Sequence, residues 1–250
     1  MAELEQVPLE ATAWRAVEDQ SRLVTTQFTG SLADQARLEE LIDEVKPKQP
    51  AFSGAGPDQG LHPLLRTPFR YPPLKHGSRF GSWAERGIWY GAEEVLTVLH
   101  ELAYYRFVLA SRTRAAQQPG SGSHSVFCAD LRTDAAVDLY RSVTPQRRRA
   151  LTSPTAYRSS QQLGAEARAA GVQVIRYPSA RRTVDSAGEA TACFAVLSPL
   201  AFRRRAPRGT PQRWLHQFDD QRMIFRHGEE ILMIPREVFL VRGALPAPPR

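Results

Sequence analysis

Glu101 stands between Leu99 and Leu102 in "TVLHELAYYRF", where Val95, Leu99, Leu102, Tyr105 and Leu109 recur at spacings of four, three, three and four. That recurrence is helical and turns Glu101 toward whatever the leucines pack on. A carboxylate so placed is costly unless it is paired, hydrogen-bonded or used on a substrate. Arg79 precedes Tyr90 by eleven residues, and Tyr90 precedes Glu101 by eleven. Three polar groups on consecutive elements can therefore converge. Ser179, in "RYPSARR", follows a strand-like run, and Pro178 stiffens the turn that presents its hydroxyl. Two readings stay open on these residues alone. Glu101 is neutralised by Arg79 and Ser179 is an ordinary turn serine, or the set binds a substrate that needs a cation, a carboxylate and a hydroxyl.

Other chemistries find no support. "GSGSH" lacks the Gly-Lys-Ser/Thr ending of a phosphate-cradling loop, and no Gly-x-Gly-x-x-Gly opens a helix. "HELAY" has Tyr104 where a zinc-protease helix needs its second histidine, so no metal site is expected. Cys128 and Cys193 sit among apolar neighbours without a basic partner, which suits buried free thiols better than a nucleophile or a disulfide. No Gly-x-Ser-x-Gly occurs.

The elements that would position the site follow from local patterning. Residues 1–47 read as a helical extension, clearest at "GSLADQARLEELIDEVK", where Ser31 is an N-cap and Leu32, Leu38, Leu41, Ile42 and Val45 share a face. This extension is a candidate cap or homodimer surface. A Gly/Pro-rich linker spans 48–63. A catalytic domain is expected over 64–242, with "LLRTPFR" and "GIWYGA" as strands and a long helix from Glu93 to about Ala116. "HSVFCADL" and "AVDLY" read as two strands, "AYRSSQQLGAEARAAG" as a helix stopped at Gly171, and "VQVIRYPS" as a strand. "TACFAVLSP", "RWLHQF" and a hairpin turning at His227 and Gly228 complete the set, and residues 243–250 read as a disordered tail. Short strands with few helices and no regular alternation imply an α+β fold with a curved antiparallel or mixed sheet and flanking helices.

The 250 residues are 42% hydrophobic, enough for a sizeable core, and no apolar run nears the roughly 20 residues of a membrane-spanning helix. The acidic N-terminus lacks a signal-peptide pattern, so a cytoplasmic protein is expected. The net charge of +7 raises the alternative of a basic nucleic-acid-binding module. Its arginines are dispersed, though, with local groups at "QRRRA" and "FRRRAPR" and no continuous basic helix, so direct nucleic-acid binding is not the favoured reading.

Taken in order, "LLRTPFRYPPL", "GSRF", "GIWYGA", "LHELAYYRF" and "VIRYPSAR" resemble the RES domain, the toxin of toxin–antitoxin pairs with Xre-type partners. The resemblance runs from about Leu64 to Arg182 and implies a fold similar to ADP-ribosyltransferases, with NAD⁺ as substrate rather than cofactor. It implies NAD⁺ phosphorolysis or hydrolysis at the nicotinamide–ribose bond, growth arrest, and neutralisation by an antitoxin. Protein ADP-ribosylation is the enzymatic alternative, and inorganic phosphate is a candidate acceptor.

By motif, Arg66 matches the family's first arginine, Arg79 the arginine of a Gly-Gly-Arg-Trp-like pattern and Tyr90 the strand tyrosine. Glu101 matches the helix glutamate, and Ser179 the serine of the Pro-Ser-Ala-Arg pattern. Tyr71 in "FRYPP" matches an aromatic near the nicotinamide pocket, with Arg70 as the other candidate there. Phe80 replaces the usual tryptophan, and "TVDSAGEA" stands where Gly-Gly is usual. The implied roles are diphosphate pairing for Arg66 and Arg79, nicotinamide stacking for Tyr71 or Tyr90, charge stabilisation for Glu101, and orientation of ribose or acceptor for Ser179.

Overall fold

A 19-residue strand, β3 (Gly120–Asp138), organises the molecule. The computed structural model describes residues 4–19, 60–70, 77–112, 119–181 and 191–246. One edge of β3 pairs antiparallel with β1 (Val7–Glu18) from Glu18↔His124 to Val7↔Ala136. The other edge pairs with β6 (Arg208–Phe218) over its first half and, parallel, with β4 (Val174–Pro178) at its end. A register shift between Val126 and Cys128 marks the approach to that hand-over. From β4 the sheet continues antiparallel to β5 (Ala192–Val196) and β2 (Trp89–Ala92). Trp14↔Ala92 joins β2 back to β1, so five strands close on themselves. β6, β7 (Arg222–His227) and β8 (Glu230–Pro235) extend the eight-stranded mixed sheet as a meander. The fold class is α+β, as the patterning implied.

Alternation explains why these strands are buried on both faces. In β5, Cys193 and Ala195 join one core cluster while Phe194 and Val196 join another. Burying a side chain such as Phe194 contributes about 1.5–3 kcal/mol. The first cluster packs under α4 (Arg158–Ala169), through Leu163 and Ala167. The second receives α1 (Pro63–Arg70) through Leu65 and Phe69. A third packs α2 (Val95–Arg112) against β6, β7 and β8 through Leu99, Tyr104, Phe107, Trp214 and Phe225. A short helix, α3 (Pro145–Leu151), precedes α4 and is capped by the Thr144 hydroxyl. Among the described residues no helix is long and apolar enough to cross a membrane.

Several expectations are corrected. Residues 7–18 are a strand, not part of a helical extension, because Ala13 and its same-face neighbours Leu9, Ala11 and Val17 pack in the core and the backbone pairs with β3. The segment around 31–47 lies outside the described residues. "LLRTPFR" is helical: Leu61, Leu65 and Phe69 recur every four residues and are buried together, and the first turn closes on the His62 carbonyl. Pro68 cannot donate to the Leu64 carbonyl; Trp89 Nε1 donates to it instead at 3.3 Å, tying α1 to β2. The segments read as two strands at 124–140 form one, β3, and the end of the expected linker is already folded at Leu61. The buried stripe of α2 is Leu99, Ala103, Tyr104, Phe107 and Val108, which leaves Tyr105 and Leu109 half exposed. Within the expected tail, Leu245 packs on the third cluster and Tyr104 donates its hydroxyl to the Pro246 carbonyl.

Candidate active site

One face of α2, Val98, Glu101, Leu102 and Tyr105 at helical spacing, forms a wall of a cavity of about 380 Å³. The remaining walls come from Trp14 to Ala16 of β1, residues 77–79, β2, and the side chains of Tyr157, Tyr177 and Cys193. That volume lies in the range of small-molecule sites.

Arg79 is delivered by a tight turn. Gly77 adopts φ +72°, and a Cβ there would collide with the Gly81 carbonyl oxygen, so the turn requires glycine. Ser78 N donates to that oxygen at 2.7 Å. Tyr90 brackets Arg79 from the strand: its hydroxyl donates to Ser78 Oγ at 2.8 Å and accepts from Phe80 N at 3.1 Å. From the other side, Gly164 of α4 lies so close to the Phe80 backbone that a Cβ would clash with its carbonyl. Arg79 is 8% exposed; its guanidinium donates Nη1 to the carbonyls of Ser153 (3.0 Å) and Leu151 (3.4 Å) and lies 4.7 Å over the Tyr157 ring. Burial opposes its charge, but the pull of Tyr157, Tyr177, Glu101 and Tyr105 outweighs burial and holds its pKa above the ordinary arginine value.

Glu101 and Ser179 meet directly. Ser179 Oγ donates to Glu101 Oε1 at 3.1 Å and accepts from Arg181 N at 3.1 Å. The serine is 4% exposed, and its hydroxyl orients the carboxylate. Burial, then the charge of Glu101, push the Cys193 thiol up, so it stays neutral. Burial likewise holds the Tyr90 and Tyr177 phenols above their usual value.

Arg79, Tyr90 and Glu101 thus line one cavity, and Ser179 is bound to its carboxylate. Arg66 is not among the lining residues: it sits on α1, whose Leu65 and Phe69 pack into the second core cluster. Tyr71 lies outside the described residues. Arg15 borders the cavity from β1, but its side chain is on the face of Ala13: Cζ lies 5.5 Å over the Trp89 ring of the second cluster and Nη1 donates to the Tyr90 carbonyl at 2.7 Å. Its buried Nε has no partner among the described residues, and burial, partly offset by Tyr90, lowers its pKa to about 10. Its signal in the sequence is a lone charge inside the alternating run "TAWRAV". Tyr105, Tyr157 and Tyr177 also line the cavity; helical spacing marked Tyr105 only as a packing residue, and nothing in the spacing of the other two singles them out.

The basic runs are largely engaged within the chain. Arg203 pairs with Glu10 at 2.7 Å, and Arg204 and Arg208 with Asp130 at 3.1 and 3.2 Å. Arg148 donates to the Tyr140 carbonyl at 2.9 Å.

The chain's RES domain match covers residues 55–218, about two thirds of its length. Comparison with curated proteins finds no match. Among solved structures, it is similar to a chain in the crystal structure of the M. tuberculosis MbcT–MbcA toxin–antitoxin complex, with 13% identity and a TM-score of 0.43 over 86% of this chain and 87% of that one.

Proposed function

Because the chain belongs to the RES-domain family, we propose that it is a toxin that cleaves the nicotinamide–ribose bond of NAD⁺ and is neutralised by a cognate antitoxin. The observation that carries the proposal is the meeting of Arg79, Tyr90 and Glu101 around one cavity, with Ser179 bonded to the Glu101 carboxylate, from residues spread over a hundred positions of sequence. The reaction asks for charge and position. As the C1′–N bond breaks, its electron pair moves onto the nicotinamide nitrogen and neutralises the pyridinium, while positive charge develops on C1′ and the ring oxygen. A carboxylate held by Ser179 stabilises that charge, and phosphate or water then bonds to C1′, water losing a proton as it does so. Arg79 supplies a guanidinium group to the diphosphate. Tyr105, half exposed beside Glu101, offers an aromatic face at the cavity.

The test is NAD⁺ turnover by the purified chain free of antitoxin, with product identification in the presence and absence of phosphate. Nicotinamide release is expected, and Glu101→Gln, which keeps a hydrogen-bond acceptor for Ser179 but removes the charge, lowers kcat about a hundredfold or more with an unchanged melting temperature. Intact NAD⁺ under both conditions overturns the proposal. Label transferred to a protein replaces phosphorolysis or hydrolysis with ADP-ribosylation.

A further inference from the structure

We propose that Tyr157 is a positioning residue for Arg79, an inference that rests on the cavity being the anion-binding site proposed above. Three constraints on the guanidinium come from one stretch of chain. The Tyr157 ring lies under it at 4.7 Å, and the Leu151 and Ser153 carbonyls accept from Nη1. The ring and the two carbonyls together restrict the orientation of the fork. Nε and Nη2 are left without partners among the described residues, in a side chain that lines the cavity.

Tyr157 is itself held. It is 2% exposed, and its hydroxyl accepts from Arg181 Nη2 at 3.0 Å. Arg181 is fixed by two bonds to the Pro154 carbonyl and lies 3.5 Å over the Tyr104 ring. The backbone N–H of the same Arg181 reaches Ser179 Oγ, which donates to Glu101. A single chain of contacts, Arg79 to Tyr157 to Arg181 to Ser179 to Glu101, therefore sets the cavity's cation relative to its carboxylate. A tyrosine at this place does what a leucine of similar bulk cannot: it presents a π face to the cation and an oxygen to Arg181.

The experiment follows rotation about the Arg79 Nε–Cζ bond by ¹⁵N NMR, with the resonances assigned by their loss in Arg79→Lys, alongside NAD⁺ kinetics. Slow rotation is expected in the wild type and fast rotation in Tyr157→Leu, at an unchanged backbone spectrum. KM for NAD⁺ rises about tenfold in Tyr157→Leu, with kcat changed far less, as expected for loss of an oriented anion contact. Tyr157→Phe, which keeps the ring, recovers most of that loss. Should Tyr157→Leu not fold, Tyr157→Met carries the same expectation. Fast rotation in the wild type, or slow rotation persisting in the folded leucine or methionine variant, overturns the proposal. Slow wild-type rotation lost in the variant, together with no NAD⁺ turnover by the wild type, leaves the positioning role standing and removes the substrate reading instead.

Discussion

Ionisable side chains in this fold divide into those whose charge is held in place and those that burial keeps neutral. Glu101 and Arg79 belong to the first group: each is met by a hydroxyl, a carbonyl or a ring that restricts its orientation. His216 belongs to the second. It lies against His124 with ring centroids 4.8 Å apart, and burial first, then the neighbouring charges of His124 and Arg106, lower its pKa to about 4, against a weaker opposing pull from Glu18. A base whose folded pKa lies below its unfolded value of 6.5 binds fewer protons when folded, so folding stability falls as pH drops from about 6.5 toward 4. His216→Gln should flatten the melting temperature across that window. An unchanged slope would assign the acid sensitivity to other groups.

Helix α4 shows how an element places a residue it does not contain. Gly164 lets the helix approach the Phe80 carbonyl at van der Waals distance, and Gln161 Nε2 donates to the Ser78 carbonyl at 3.1 Å, so the turn carrying Arg79 rests on the helix. Gly164→Ala puts a methyl into backbone that cannot rotate away. It is expected to destabilise the fold by about 1–3 kcal/mol and to reduce NAD⁺ turnover, by overpacking. Thermal melting and activity check this together, and a wild-type melt with wild-type activity contradicts it. Elements with their own period were legible in advance: β2, α2, α4, β4, β5 and the β7–β8 hairpin lie where alternation, helical spacing or a turn glycine put them. Elements defined by docking were not. Whether Leu64–Arg70 is strand or helix depends on the Leu61, Leu65, Phe69 stripe meeting the sheet and on Trp89 taking the carbonyl that Pro68 leaves free.

At the scale of the molecule, the closed circuit of five strands makes residues 7–18 part of the core. β1 pairs with β3 from His124 to Ala136, and its residues Trp14 to Ala16 form a wall of the cavity. Deleting residues 1–18 should therefore abolish cooperative melting, whereas a dispensable extension would leave a folded, active remainder. Circular dichroism and NAD⁺ turnover of the truncated chain separate these outcomes. The same closure brings Trp14, Tyr90, Glu101, Tyr157 and Tyr177 to one cavity.

Residue type and local spacing were sufficient to settle the fold class, most strands, the long helix and the candidacy of Arg79, Tyr90, Glu101 and Ser179, because period, turn chemistry and the cost of a half-buried charge are local properties. The convergence of Arg79, Tyr90 and Glu101 on one cavity and the placing of the Tyr157 ring 4.7 Å from the Arg79 guanidinium were decided by tertiary structure alone. Each joins residues tens of positions apart. Such contacts depend on which strand edges pair and which helix docks on which face of the sheet, and neither is written in the spacing of any single segment.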